Sequence, residues 1–536
     1  MGLLTSPWTA ACATGLLLSA GFPSWHYAFA GWIALVPLLV HLDKVSFRTA
    51  FSLGFLAGFL HHLTTLYWIT YVVTHYGNLP AAVSAAVLCL LCAYLALYHA
   101  LFFAAAQRWQ RSQGMEVWGL PCLWIALEWG RAHLLTGFPW TNVGYTQTTL
   151  TPLLQTADLA GVYGVGWLVV LGNTVLARLI TRRLGLSHLC TAALCAALFV
   201  GYGVWREKSF EIPRQDPPQP LEVALVQGNI DQSIKWDPEY QEATLNIYEN
   251  LSQAAVQDKP VDLLVWPETA APFFYGYEDI PTRKLHDIAT SVNVPILLGI
   301  PWVIPDGASP RLQNRAVLLH PDRGLVAFYA KRHLVPFGEY VPLKRVLFFV
   351  EKLVVAAGDF VPGKGPSVFP FKDTSVGVLI CYEAIFPELA RDAVRHGARV
   401  LVNLTNDAWF GRTAAPYQHL DIARWRAVET RVPLVRCANT GISAVFDATG
   451  KTLTALPLNV AATAKAAVFP VTKTPSFYVR YGDVFAWGCT LTALLCVVYG
   501  ERARRRRFSK DALGSLSKND SAASFRLETA ERRKGR

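Results

Sequence analysis

In TSVGVLICYEAIF, residues 374–386, an apolar, β-branched run about as long as a buried strand stops at Cys381, and Tyr382 and Glu383 follow at once. A strand that carries a cysteine to its carboxyl end, beside a carboxylate, is how an α/β fold presents a nucleophile in the crevice above its sheet. Alone, the pattern fits an inert core cysteine as well, because a free thiol packs as a small hydrophobe. Working outward, further strand-like runs recur at 221–228, 262–266, 295–300, 315–319, 325–330, 399–404, 433–438 and 442–447. More polar, helical stretches lie between several of them, at 239–257, 281–291, 386–397 and 416–430. That alternation predicts an α/β domain with a buried sheet over residues 218–474, long enough to bury its own core. It contains neither an internal repeat nor a glycine-rich phosphate loop.

Outside this domain the composition changes. The chain of 536 residues is 52% hydrophobic and 16% charged, against about 25% charged in a typical soluble domain. Residues 1–205 are long apolar runs with short polar gaps. Spans are expected near 1–22, 27–42, 49–73, 80–106, 116–134, 154–178, 187–205 and 483–500, so about eight transmembrane helices flank the α/β domain. The first lacks a basic leader and a clear cleavage site, so it is read as a retained span rather than a signal peptide.

Charge orients these spans. Lys44 and Arg48, Arg108 and Arg111, Arg178, Arg182 and Arg183, and the tail beginning ERARRRRFSK (501–510) share one side when both ends face the cytoplasm. The opposite loops are nearly free of Lys and Arg, Arg131 being the exception. The large domain then faces outward, in a bacterial inner membrane toward the periplasm, where no ATP is available. Much of the net charge of +11 sits in the tail 501–536, which reads as a disordered cytoplasmic topology anchor and not as a nucleic-acid surface.

Eight of the ten cysteines lie in apolar segments, and Cys437 sits in a strand-like run as core. The Cys89 and Cys92 spacing falls inside a hydrophobic helix, so no metal site is expected. Cys381 is left as the candidate nucleophilic thiol. One outer loop, EWGRAHLLTGFPWTNVGYTQ (128–147), holds Glu128 and Arg131 near a membrane end. It fits either an interfacial aromatic belt or a lipid-facing lip beneath the outer domain.

Three strand ends carry polar groups. DLLVWPETA sets Glu268 just past a strand, VAFYAKRHLVPFGEY sets Lys331 at the end of another with Glu339 eight residues on, and GVLICYE delivers Cys381. Singly, Glu268 fits a solvated loop carboxylate and Lys331 a surface lysine. Jointly they fit acyl transfer: a lysine favours the thiolate or an oxyanion, and a carboxylate takes and returns the proton.

WPE, the lysine before HLVPFGEY, and CYE together resemble the nitrilase superfamily, whose members are αββα sandwiches with a Glu–Lys–Cys triad. The flanking spans, the GFPW loop and NLTNDAWFG (403–411) make nearly the whole chain before the tail similar to the apolipoprotein N-acyltransferase family. The resemblance implies Cys381 as nucleophile, Glu268 as proton acceptor and Lys331 as third member. It also implies Glu339, Tyr382, Glu383 and Trp236 (in IKWDP) as supporting residues. It further implies a ping-pong reaction without cofactor. A phosphatidylethanolamine-like phospholipid gives its acyl chain to the thiol, and the diacylated cysteine of an apolipoprotein takes it. Aromatic residues around Trp409 and Phe410, or Phe273, Phe274 and Tyr275, are candidates for a lid. Nothing demands more than a monomer. Two rivals stand beside this reading: a membrane-tethered amidase using the same triad, and a transporter, for which no symmetric pair of broken helices is found.

Overall fold

The computed structural model describes residues 6–23, 25–109, 115–211, 219–257, 259–305, 310–342, 360–365, 368–471 and 475–500. Among the described residues, twelve strands form between the helical segments, in chain order: β1 Leu221–Gln227, β2 Leu263–Val265, β3 Ile296–Ile304, β4 Arg311–His320, β5 Gly324–Ala330, β6 Val368–Phe371, β7 Thr374–Ile380, β8 Val400–Thr405, β9 Leu434–Ala438, β10 Ser443–Phe446, β11 Thr452–Leu456 and β12 Ala462–Val468. They make two six-stranded sheets, ordered β12-β1-β2-β3-β4-β5 and β11-β10-β9-β8-β7-β6. The centre of each is parallel, β1-β2-β3 and β7-β8-β9, with antiparallel strands toward both edges.

The period-two alternation of side chains explains the layering. Val223, Leu225, Val265 and Leu297 of the first sheet meet Val378, Ile380, Val402 and Leu404 of the second in one inner core. The alternate residues face outward. Ala224, Val226, Leu264 and Leu298 pack on Leu245, Tyr248, Leu285 and Ile288, which belong to helices Pro238–Gln257 and Asp279–Val292. Leu379, Leu401 and Leu434 pack on Ala390, Ala393, Ala423 and Ala427, from helices Pro387–Arg395 and Ala415–Thr430. The domain is therefore an αββα sandwich. Three of its strands, β6, β11 and β12, were not expected from the sequence. All three are sheet-edge strands, and β12, ATAKAAV, is rich in Ala and partly exposed, so none presents a long apolar run.

Among the described residues, three helices are long and apolar enough to cross a membrane: Ala81–Trp109, Ala157–Ile180 and Leu186–Ser209. The shorter Val484–Gly500 is also apolar. Leu90, Leu101, Leu194, Leu198, Leu491 and Leu495 lie exposed on these elements, an apolar surface that water does not favour and lipid does. This is a membrane protein. The stretch expected to span 27–42 folds as two short helices, Ala28–Ile33 and Val36–Leu39, because Pro37 lacks the N–H that a continuous helix needs. The 49–73 stretch likewise divides into Phe47–Thr65 and Trp68–His75. The break follows Thr65, one residue after Thr64, whose hydroxyl turns back on the Leu60 carbonyl at 2.8 Å.

Candidate active site

In each sheet the parallel strands end on one crest, and β5, twice reversed from β3, ends on the same side as β2 and β3. That topology brings Glu268, Lys331 and Cys381 together. Glu268 leaves β2 through Trp266 and Pro267, and β3 pins the turn: Trp266 N donates to Leu297 O at 2.9 Å and Gly299 N to Pro267 O at 3.1 Å. A Cβ at position 299 would lie 2.6 Å from Glu268 Cα, so only glycine lets β3 run directly beneath this carboxylate.

The Glu268 side chain is buried. Its Oε1 accepts from Asn314 Nδ2 at 2.7 Å and from Lys331 Nζ at 3.4 Å, while Oε2 has no partner. Lys331 Nζ also donates to Glu339 Oε1 at 3.0 Å, and Asn314 Nδ2 donates to that same oxygen at 3.0 Å. Glu339 Oε2 accepts from Val335 N at 2.8 Å. Burial pulls the Lys331 pKa down, but Glu339 and Glu268 outweigh it and the net direction is up. Lys331 is thus a fixed ammonium between two carboxylates.

Cys381 begins the tight turn Cys381–Ile385 with φ +50, a left-handed conformation that costs a non-glycine residue about 1–3 kcal/mol. Two sets of contacts hold it there. Glu383 Oε2 accepts from Ile380 N at 2.7 Å, and its Oε1 accepts from Tyr329 Oη at 2.8 Å, Arg332 N at 2.7 Å and His333 N at 3.1 Å. Glu383 thereby ties the end of β7 to the segment that carries Lys331. Behind the turn, His419 Nε2 lies 3.2 Å from the Cys381 carbonyl, its Nδ1 lies 3.0 Å from Asp407 Oδ1, and Arg436 Nη2 donates to Asp407 Oδ2 at 2.7 Å. Burial raises the Asp407 pKa, but Arg436 and His419 overcome this and hold it down at about 2.

Burial, then the negative charge of Glu268, push the Cys381 thiol up to about 12, with Lys331 opposing. At neutral pH the thiol keeps its proton, and the resting ion pair is Glu268 with Lys331. The arrangement can pass the proton to Glu268 as the sulfur attacks, while the ammonium faces developing negative charge.

Tyr382 lies beside the site, its ring 5.9 Å from His333 and 5.2 Å from Phe386. Trp236 is 44% exposed, with its ring 6.5 Å from Phe274. Its neighbour Lys235 is fully buried and donates to the Glu268 carbonyl at 3.4 Å. Burial lowers the Lys235 pKa to about 8, against the pull of Glu268. Phe273 is 1% exposed within the outer core of the first sheet and is no lid residue.

The helical region grips the second crest. Trp68 Nε1 and Trp140 Nε1 both donate to Gln418 Oε1, at 3.2 and 2.7 Å, and the Trp140 ring lies 5.5 Å from His419. Arg131 donates to Thr141 and Asn142, and Glu128 accepts from Val143 N, so both fasten the 137–147 loop. Phe410 packs 5.0 Å from Trp68.

The sequence reading missed Asn314, Lys235, Asp407 and His419. A signal existed for one of them: Asp407 lies in NLTNDAWFG. Asn314 sits in the polar opening of β4, RLQNR, ahead of its apolar run, and does not stand out there. His419 sits on a helix of mixed polarity and offered none.

A family model described as the apolipoprotein N-acyltransferase N-terminal domain matches residues 14–175, and one described as carbon-nitrogen hydrolase matches residues 222–471. The chain is 44% identical over 498 residues to an apolipoprotein N-acyltransferase of Geobacter metallireducens, covering 92% of this chain and 95% of that one. It is 31% identical over 511 residues to that of Haemophilus ducreyi, with 92% and 95% covered. Among solved structures, an amidase from Nesterenkonia is similar at 19% identity and TM-score 0.35, over 50% of this chain and 95% of that one. The two family models and the two relatives span both halves of the molecule, and the chain belongs to the apolipoprotein N-acyltransferase family.

Proposed function

We propose that the protein moves a fatty acyl chain from a phospholipid to the α-amino group of the diacylglyceryl-cysteine of an apolipoprotein, through a thioester on Cys381. One observation carries this reading: the likeness covers the helical residues 14–175 as well as the α/β residues 222–471. A membrane-tethered amidase would need only the second.

In this reading Glu268 Oε2, the carboxylate oxygen with no bond of its own, takes the Cys381 proton as sulfur attacks the ester carbonyl. The tetrahedral oxyanion is stabilised by the Lys331 ammonium. Collapse breaks the ester C–O bond, Glu268 returns the proton to the leaving oxygen, and lysophospholipid departs. The amine then attacks the thioester, Glu268 accepts its proton, and the C–S bond breaks to leave an amide and the reprotonated thiol. Glu339 fixes Lys331, Glu383 holds the elbow, and Tyr382 and Trp236 flank the entry. Ester to thioester to amide needs no ATP.

We place residues 1–205 as seven membrane helices, 218–474 as the catalytic domain, and 483–500 as an eighth span. This supposes a multi-pass protein of a bacterial inner membrane with its domain in the periplasm. The basic loops and the apolar outward faces support it. The tail 501–536, read as cytoplasmic, lies outside the described residues. The donor is taken to be phosphatidylethanolamine-like and the working unit a monomer.

Intact-protein mass spectrometry after incubation with phospholipid, without acceptor, tests the proposal. A gain of one acyl chain, labile to hydroxylamine and lost in Cys381→Ala, is expected, and a diacylated lipopeptide should discharge it. Discharge by water alone would favour the amidase, and an adduct surviving in Cys381→Ala would remove the nucleophile assignment.

A further inference from the structure

The reaction leaves unused three buried histidines in the helical region. His61 and His62 sit on helix Phe47–Thr65, and His99 sits on helix Ala81–Trp109. Their exposures are 2%, 0% and 5%, and the ring centroids lie 4.8 to 5.8 Å apart. The helices meet closely because a Cβ at Gly58 would stand 2.7 Å from His99 Cβ. One nitrogen from each ring lies within 4.8 Å of the other two, and among the described residues this is the one group of three such side chains able to converge on an ion.

Two observations point beyond packing. Neither ring nitrogen of His62 has a hydrogen-bond partner, although the side chain is wholly buried. Buried polar groups of native proteins are rarely left so. His61 is oriented from behind: Ser19 Oγ lies 3.1 Å from its Nδ1. The single Ser19 proton has oxygen acceptors at Gly15, His61 and Thr64, so Ser19 Oγ is free to accept from Nδ1–H, the tautomer that leaves the lone pair on Nε2. A ligating histidine is oriented this way, by a polar group on its other nitrogen.

We propose that His61, His62 and His99 bind a transition-metal dication of the zinc class. Three neutral imidazoles without oxygen donors suit zinc, copper or nickel and not calcium or magnesium. Tetrahedral zinc at about 2.0–2.1 Å from each nitrogen spaces them by about 3.3 Å, so from separations of up to 4.8 Å the rings need to close by up to about 1.5 Å. Beyond His99 lies a cavity also lined by Tyr98, Trp124, Leu127, Glu128 and Arg131. It offers room for a fourth, non-protein ligand, and Glu128 Oε2, buried and without a partner there, offers counter-charge. The ion would clamp the two helices below the Trp68–Trp140 contact and take no part in acyl transfer.

The test uses full-length protein purified by a tag without histidine from zinc-supplemented cells. Elemental analysis after a chelator wash should find near-stoichiometric zinc. His62→Ala and His99→Asn should lower it roughly tenfold or more while still forming the acyl-enzyme, which shows that they fold. Cobalt-loaded wild-type protein should display the visible bands of tetrahedral nitrogen ligation, a reading that needs no variant. Zinc at background with no cobalt bands would overturn the site, and so would zinc retained in both variants.

Discussion

The two crests of the sandwich hold their carboxylates differently. On the second, both oxygens of Glu383 and both of Asp407 are bonded, and the bonds end on backbone N–H groups, on the Tyr329 hydroxyl, on Arg436 and on His419, which holds the Cys381 carbonyl. On the first, Glu268 keeps one oxygen unbonded beside an ammonium. A filled carboxylate fixes geometry, whereas one with capacity left can accept a proton. In the proposed mechanism this contrast assigns the proton chemistry to the first crest and leaves the second to hold Cys381 in its strained turn.

Substitutions can break that division. Cys381→Ala should abolish the acyl-enzyme altogether, as read by mass. Glu268→Gln keeps the acceptor for Asn314 but loses the base, so the acylation rate should fall on the order of 10²–10⁴-fold with thermal stability little changed. Lys331→Met should combine a loss of roughly 10²–10³-fold in rate with destabilisation of about 3–5 kcal/mol, because Glu268 and Glu339 then face each other buried without a counter-charge. If Glu268→Gln unfolded the domain as Lys331→Met is expected to, the first crest would be structural too and the contrast would fail.

The second crest makes the opposite prediction, a change in stability first and in rate second. The folded pKa of Asp407, about 2, lies below that of the unfolded residue, near 3.9. Its contribution, roughly 2–3 kcal/mol, is complete above pH about 5 and is lost as pH falls toward 2. Asp407→Asn should therefore lower the melting temperature at neutral pH and flatten the acid limb of a stability profile. A variant with an unaltered acid limb would show that Asp407 does not hold the turn.

How much of this could be read in advance depends on the kind of signal. β1, β7 and β8 announce themselves because both faces are buried and the sequence is continuously apolar. β11 and β12 do not, since a partly exposed strand of Thr and Ala needs its neighbour to exist. Cys381, Glu268 and Lys331 were legible because each follows an apolar run directly. Asn314 and His419 act across elements distant in sequence, and only the folded register places them. The breaks at Pro37 and after Thr65 interrupt hydrophobic stretches that hydropathy alone reads as unbroken.

Trp236 gives the smallest effect and separates the two half-reactions. Its indole is half exposed near Phe274, while Lys235 beside it is buried against the Glu268 carbonyl. The loop thus has an anchored residue facing the base and a free aromatic facing outward. Removing the ring touches none of the bonds that hold Glu268, Lys331 or Cys381, so Trp236→Ala should form the thioester at nearly the wild-type rate. Its exposed face is suited to meet an incoming acyl chain, and burying a large aromatic is worth about 1.5–3 kcal/mol. Discharge by a diacylated lipopeptide should then slow about tenfold or more, and the acyl-enzyme should accumulate. Single-turnover measurements of each half-reaction read this directly. Equal slowing of both steps would mean that the ring instead steadies Lys235 and, through it, the first crest.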